Sequence, residues 1–199
     1  MARGLTTAIA RTGLSRERFE ALLHGRGHDL YDDPIPDMAA LEAYADATSG
    51  ELSVLAAEVL GARDPATLVA ARSVGVAWGL VGVVRATAFL AARRRLLLPA
   101  DRLVAHAVEA ESVFLGRPGG GLANVVEEVV RRAEHRLGEA RAARPTVARR
   151  AIPALLPAMI ARRHVARLRR DRFAVFGAAP GPAPLLPLAL WWAATTGRY

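Results

Sequence analysis

Between Ala66 and Ala100 the chain carries no acidic residue, and from Ser73 to Ala92 its one charge is Arg85. A stretch this apolar has to be hidden from water. About 20 apolar residues is also the length that spans a bilayer, so a membrane span and a buried core helix are the two solutions. An arginine at mid-bilayer costs roughly 2.5–3.5 kcal/mol on insertion scales. Glycines at 75, 79 and 82 and alanines at 77, 86, 88, 91 and 92 leave the stretch only moderately hydrophobic. Both points favour a central helix, so the rest of the chain must supply apolar helix faces to wrap it.

The remaining periodicity is helical, with no alternating strand pattern and no internal repeat. Ser15 can cap a helix that buries Phe19, Leu22 and Leu23 and ends at the Gly25–Gly27 break. Asp37 can cap a long helix through Met38, Leu41, Tyr44, Leu52, Leu55 and Leu60, with Gly61 just past its end. Asp64-Pro65 starts the central helix, a capping residue followed by proline at the first helical position, and that helix should run to about Ala92. A short helix follows from Pro99 to about Leu115, then a loop at Arg117–Gly121. Leu122–Ala143 is amphipathic, with Val125, Val126, Val129, Val130, Ala133 and Leu137 on one face. Residues 147–170 are helical but broken by Pro153 and Pro157. Ala178–Pro187 is a proline-rich connector, and Leu185–Thr195 is a last apolar helix carrying Trp191 and Trp192. The fold class is all-α. Residues 1–199 form a single domain, with a core over about residues 15–143 and basic, proline-interrupted helices over 145–199.

The 199-residue chain is 52% apolar and 23% charged, which is the composition of a globular protein. Its 27 basic residues are all arginine, with no lysine and no glutamine, as a GC-rich coding bias produces. The absence of cysteine excludes disulfides, thiolate zinc sites and thiol nucleophiles. The N-terminus makes a poor signal peptide. Charge is uneven: residues 141–199 hold 11 arginines against Asp171 alone, whereas residues 1–140 hold 16 arginines against 18 acids. A basic end on a nearly neutral body suits phosphate-rich partners, an anionic membrane or an acidic protein.

Three segments, in order, resemble the squalene/phytoene synthase family. Phe19–Leu30 matches a family helix ending in Gly-x-x-x-Asp-Leu at Gly25, Asp29 and Leu30. Leu41–Gly50 is similar to the family's Leu-x-x-Tyr segment, with the tyrosine at Tyr44. Gly75–Pro99 matches the second aspartate-rich segment at Arg85, Arg95 and Leu98-Pro99. The resemblance implies a helical bundle of isoprenoid synthase type and, in catalytic members, head-to-head condensation of prenyl diphosphates. Those members hold Mg²⁺ with carboxylates one helical turn apart on facing helices. Here the matching positions are Ala86, Phe89 and Leu90, with Gly82 at the asparagine position, and none can bind a hard cation. The first aspartate-rich motif is expected upstream of the Ser15 helix, on N-terminal helices this chain lacks. Asp29–Pro34 and Gly75–Leu80 look most like a non-catalytic branch that includes a mitochondrial complex I assembly factor and alphaproteobacterial relatives.

The resemblance therefore implies no catalytic residue, no metal and no cofactor, and a binding or assembly role at a membrane surface. Arg85, Arg95, Asp29, Tyr44 and Gly79 are the candidates for an anion-binding pocket. Arg85 either keeps an anion-binding role or pairs with a buried carboxylate such as Asp29, or snorkels to the surface. Gly75, Gly79 and Gly82 serve close helix packing or line the pocket. Asp29, Asp32, Asp33 and Asp37 beside His28 read as a turn and a cap rather than a metal site. Arg162, Arg163, Arg167, Arg169 and Arg170 with Trp191 and Trp192 are the candidate membrane or partner surface. That segment lacks the aromatic interleaving and motifs of a nucleic-acid binder.

The partners expected are a protein, or a second copy of the chain through apolar faces that absent helices would leave bare, and a prenyl lipid. Peripheral contact with an anionic membrane is expected too. The location expected is cytoplasmic, at the inner membrane. The alternatives are an active prenyltransferase, with Mg²⁺ held by Glu109, Glu111, Glu127 or Glu128, and a prenyl-lipid binder without chemistry.

Overall fold

A computed structural model describes residues 2–31, 33–177 and 184–199. Its axis is the acid-free segment. Asp64 caps helix α5 (Pro65–Ala91), its side chain accepting from the Thr67 N–H at 2.8 Å. Fourteen α5 residues are buried, against α3 (Met38–Ala45), α4 (Glu51–Val59), α8 (Gly121–Ala142), α9 (Ile152–Leu155) and α10 (Pro157–Arg170). Among the described residues α5 is the one helix long and apolar enough to cross a membrane, and it lies at the centre of the bundle. No strand occurs among the described residues, in keeping with the all-α reading.

The expected helix over 38–60 forms with an interruption. Asp37 caps α3 through the Ala40 N–H at 2.8 Å, and α3 is joined to α4 by a wide π-helical turn at Asp46–Gly50. Two features fix that turn. The Thr48 hydroxyl donates back to the Tyr44 carbonyl at 2.7 Å, a bond that bends helices, and Asp46 is pulled outward by Arg72 of α5 at 2.8 Å. Against the turn α5 presents Gly75 and Gly79. A Cβ on Gly75 would overlap the Ser49 carbonyl and stand 2.6 Å from the Ser53 hydroxyl and 2.8 Å from the Gly50 Cα. One on Gly79 would stand 3.0 Å from the Ala45 Cβ. Gly82, by contrast, has no atom within 4 Å of that position.

Two ion-pair networks lace these helices. Glu51 of α4 bridges Arg72 of α5 and Arg18 of α2 (Arg16–Gly27), and Arg18 also reaches Glu58 at 3.0 Å. Glu42 of α3 is almost fully buried and accepts from both Arg132 and Arg136 of α8. Burial pushes its carboxyl up, but the two arginines outweigh that, and its pKa lies below the usual value.

Several expectations are corrected. Gly25 does not break α2, which runs to Gly27 before a 3₁₀ turn at His28–Leu30. A Cβ on Gly25 would stand 2.7 Å from the Ala47 Cβ, so the glycine serves helix contact. Helix α2 buries none of its residues fully, and Leu23 is 71% exposed, because α2 lies on the bundle rather than in it. On the expected helix over 38–60, Leu52 and Leu60 are exposed. A helix not foreseen, α1, spans Ala2–Thr12. The segment after Pro99 is two short helices, α6 (Ala100–Ala105) and α7 (Ala110–Phe114), divided at Ala107 in the left-handed region.

Nor does the core stop at residue 143. Ile152, Leu155, Ala158, Ala161 and Val165 join it, as does Tyr199, whose hydroxyl donates to the Ala140 carbonyl. Helix α11 (Leu186–Thr196) lies within one residue of expectation, while most of the expected connector, residues 178–183, falls outside the described residues.

The glycine contacts generate a paired prediction. Gly75→Ala should cost about 2 kcal/mol through overpacking and lower Tm by about 4–8 °C. Gly82→Ala, with room for its methyl and a gain in helix propensity, should leave Tm unchanged or raise it. Thermal unfolding followed by circular dichroism reads both.

Candidate functional site

A cleft of about 400 Å³ opens where the end of α2, the π turn and the second half of α5 meet. Gly79, Gly82, Val83, Ala86 and Leu90 form its α5 wall, and Thr48 and Ser49 of the π turn the wall opposite. Its polar end is a small constellation. The Tyr44 hydroxyl donates to Asp29 Oδ1 at 2.7 Å, and Arg26 donates to Asp29 Oδ2 at 2.9 Å. Burial drives the Asp29 pKa up, while the bonds from Tyr44 and Arg26 drive it down and prevail. Tyr44 moves the other way, pushed to about 12 by burial and by the adjacent Asp29 carboxylate. At neutral pH the pair is therefore a carboxylate held by a phenol that keeps its proton. Arg95 closes the cleft and ties down the chain after α2, donating to the carbonyls of Asp29 at 3.2 Å and Tyr31 at 3.1 Å.

A Schellman turn places Arg95. The Arg95 N–H donates to the Leu90 carbonyl and the Arg94 N–H to the Ala91 carbonyl, with Arg94 left-handed at φ 57°. Glycine is usual there. Arg94 instead forms a bidentate pair with Glu111 at 3.1 and 2.7 Å and covers the Phe114 ring. Beneath it lies a second, more apolar cavity of about 350 Å³, which shares Arg95 and Leu97 with the cleft.

Of the five pocket candidates, Asp29, Tyr44, Gly79 and Arg95 come together in the cleft. Arg85 does not. One helical step round α5, it is exposed, its guanidinium 5.7 Å from the Trp78 ring centroid. Nor does it pair with Asp29, whose partners are Arg26 and Tyr44. Arg26, Thr48, Ser49 and Trp78 were missed. A signal for Arg26 existed in its position one helical turn before Asp29, but nothing in the sequence marks the π turn that aims Thr48 and Ser49 inward.

The expected basic surface is partly neutralised. Arg162 is bound to the carbonyls of Tyr199 at 3.0 Å and Leu137 at 3.4 Å, Arg167 to Asp171 and Arg169 to Glu134. Arg163 and Arg170 stay exposed, as do Trp191 (61%) and Trp192 (58%).

For a divalent cation the cleft is a poor fit. Its α5 wall offers no oxygen ligand, and its one carboxylate, Asp29, is already engaged, whereas Mg²⁺ seeks near-octahedral oxygen coordination. Glu109, Glu111, Glu127 and Glu128 do not line the cleft. Glu111 pairs with Arg94, and Glu128 with His106 at 2.8 Å. Among the described residues no three His, Asp or Glu side chains converge as a metal site would require. Asp32 of the acidic turn lies outside the described residues.

The profile of the squalene/phytoene synthase family matches residues 1–190. The chain belongs to the squalene/phytoene synthase family. Its curated relatives in this family include "NADH dehydrogenase (ubiquinone) complex I, assembly factor 6" from Mus musculus, 30% identical over 196 residues, and the protein of the same name from Homo sapiens, 29% identical over 188. These alignments cover 98% and 94% of this chain but 59% and 56% of the relatives, so the chain spans little more than half their length. Among solved structures, the squalene synthase HpnC from Alicyclobacillus acidocaldarius superposes with a TM-score of 0.79 at 19% identity, over 87% of this chain and 66% of that one. At that identity the likeness shows the isoprenoid synthase fold alone.

Beside the cleft, His164 of α10 has its ring centroid 6.3 Å from that of Trp78. Burial, then the charges of Arg85, Arg167 and Arg163, lower its pKa below the ordinary 6.5. The unfolded chain therefore binds this proton more readily than the folded one, and stability falls as pH drops from about 6.5 through the folded pKa. Urea midpoints at pH 7.5 and pH 5.0 should differ less in His164→Asn than in the parent chain.

Proposed function

We propose that this chain works by binding rather than by catalysis, as an assembly factor of the respiratory-complex type resting on a membrane surface. The observation that carries the reading is the α5 wall of the cleft, where Ala86 and Leu90, which the family resemblance aligns with metal-binding carboxylates of catalytic members, present only alkyl groups. The names of the relatives, complex I assembly factor 6, support it. Respiratory-complex intermediates are then the expected partners. Membrane contact falls to α11, whose Leu185, Leu188, Trp191 and Trp192 share one uncovered face and suit the headgroup level of a bilayer.

A second reading, a prenyl-lipid binder without chemistry, is favoured by one feature. The cleft joins an apolar wall to two cationic groups, Arg26 and Arg95, at one end.

Incubation of the purified chain with farnesyl or geranylgeranyl diphosphate and Mg²⁺ should yield no condensed product, and turnover at enzymatic rates would overturn the binding reading. Loss of the gene should deplete the assembled NADH dehydrogenase complex on native gels. On vesicles containing anionic lipid the chain should float, and W191S/W192S should reduce the bound fraction several-fold. If that variant floats like the parent, α11 is not the membrane contact.

A further inference from the structure

On the open side of α5, Trp78, Arg85 and Phe89 recur at i, i+7 and i+11 and so share one face, which Arg93 continues just past the helix end. Phe89 is 60% exposed and Trp78 half-buried. The two arginines stack on the two aromatics: Arg85 lies 5.7 Å from the Trp78 ring centroid and Arg93 3.7 Å from that of Phe89. Stacking occupies the guanidinium faces and leaves N–H edges for carboxylates; Arg93 spends one N–H on the Phe89 carbonyl at 3.3 Å and keeps the others. Neither arginine has a carboxylate partner among the described residues.

From α10, His164 stands beside Trp78, and its chain neighbour Arg163 is exposed. No acid occurs on α5 itself, and the nearest cleft carboxylate, Asp29, is held by Arg26 and Tyr44. Gly82 leaves a notch between the two aromatics, with no atom within 4 Å of a Cβ there.

We propose that this stripe of α5 is the docking surface for an acidic amphipathic helix of a partner protein. The inference rests on the binding reading above and names the partner's chemistry. Trp78 to Arg93 covers about 22 Å at the helical rise, the length of a four-turn helix. Such a helix would seat its apolar ridge on Trp78, the Gly82 notch and Phe89, with carboxylates on Arg85 and Arg93. Tryptophan and arginine are also the residues that most often dominate interface energies. A lipid surface fits α11 better, where Leu185, Leu188, Trp191 and Trp192 form an apolar face without interleaved arginines.

The test uses a synthetic four-turn helical peptide with a leucine ridge flanked by glutamates, and a lysine-flanked counterpart, followed by fluorescence anisotropy. The full chain should bind the acidic peptide in a salt-dependent way and the basic one at least tenfold more weakly. R85E/R93E should lose at least tenfold for the acidic peptide and gain affinity for the basic one, a swap that a misfolded variant cannot produce. R117E/R131E removes the same charge at exposed sites elsewhere and should bind like the parent. Equal weakening in the two variants would reduce the effect to net charge and overturn the proposal. Anionic vesicles that bind through Arg85 and Arg93 while the peptide binds independently of them would overturn it in favour of lipid. If R85E/R93E still supports assembly of the NADH dehydrogenase complex, the stripe fails while the binding reading stands; prenyl diphosphate turnover would instead sink that reading.

Discussion

The close contact between α5 and the π turn organises this molecule. Gly75 lets the backbones of α5 and Asp46–Gly50 approach to a distance that no side chain permits, and Gly79 keeps the contact with Ala45 and Ser49 close. That approach sets the position of α3 and α4 on one side of α5 and turns Thr48 and Ser49 toward the cleft. The ion pairs then act as fasteners. Glu51 links Arg72 and Arg18 across three helices, and Glu42 links Arg132 and Arg136 across α3 and α8. Each carboxylate is substantially buried and shared between two arginines, so its desolvation is offset by more than one partner.

Helix α5 presents three kinds of surface because its neighbours surround it unevenly. One side is fully packed against α8 and α4, through residues such as Val74, Leu80, Val81 and Val84. A second, made of Gly79, Val83, Ala86 and Leu90, faces the cleft. The third, carrying Arg85 and Phe89, is open. The second surface is alkyl, and the cleft keeps its polar groups at the Asp29–Tyr44 end. The cleft thus joins an alkyl wall to a polar end made of two cations and a fixed carboxylate.

Much of the fold was legible because strong local signals agree. Asp37 and Asp64-Pro65 start the helices they were expected to start, and the valine-rich face of α8 is buried as its period requires. The misreadings share one cause, that local sequence does not say what lies opposite. Gly25 reads as a helix breaker and is a contact residue because Ala47 sits against it. Leu23 reads as buried and is exposed because α2 lies on the bundle rather than in it. Arg162 and Arg169 read as free cations, yet the returning C-terminus and α8 supply their partners.

The sequence by itself determined the helical class, the central place of the acid-free helix and the carboxylate-free character of Ala86, Phe89 and Leu90. These depend on composition and on spacing along one chain. Tertiary structure alone decided which side of α5 each of those residues faces. It took Arg85 out of the cleft and set it over Trp78 and beside His164, while Arg26, Tyr44 and Arg95 converged on Asp29 from separate elements. A helical step of about 100° separates a pocket wall from an open surface, and only the packing of neighbouring helices fixes where that step falls.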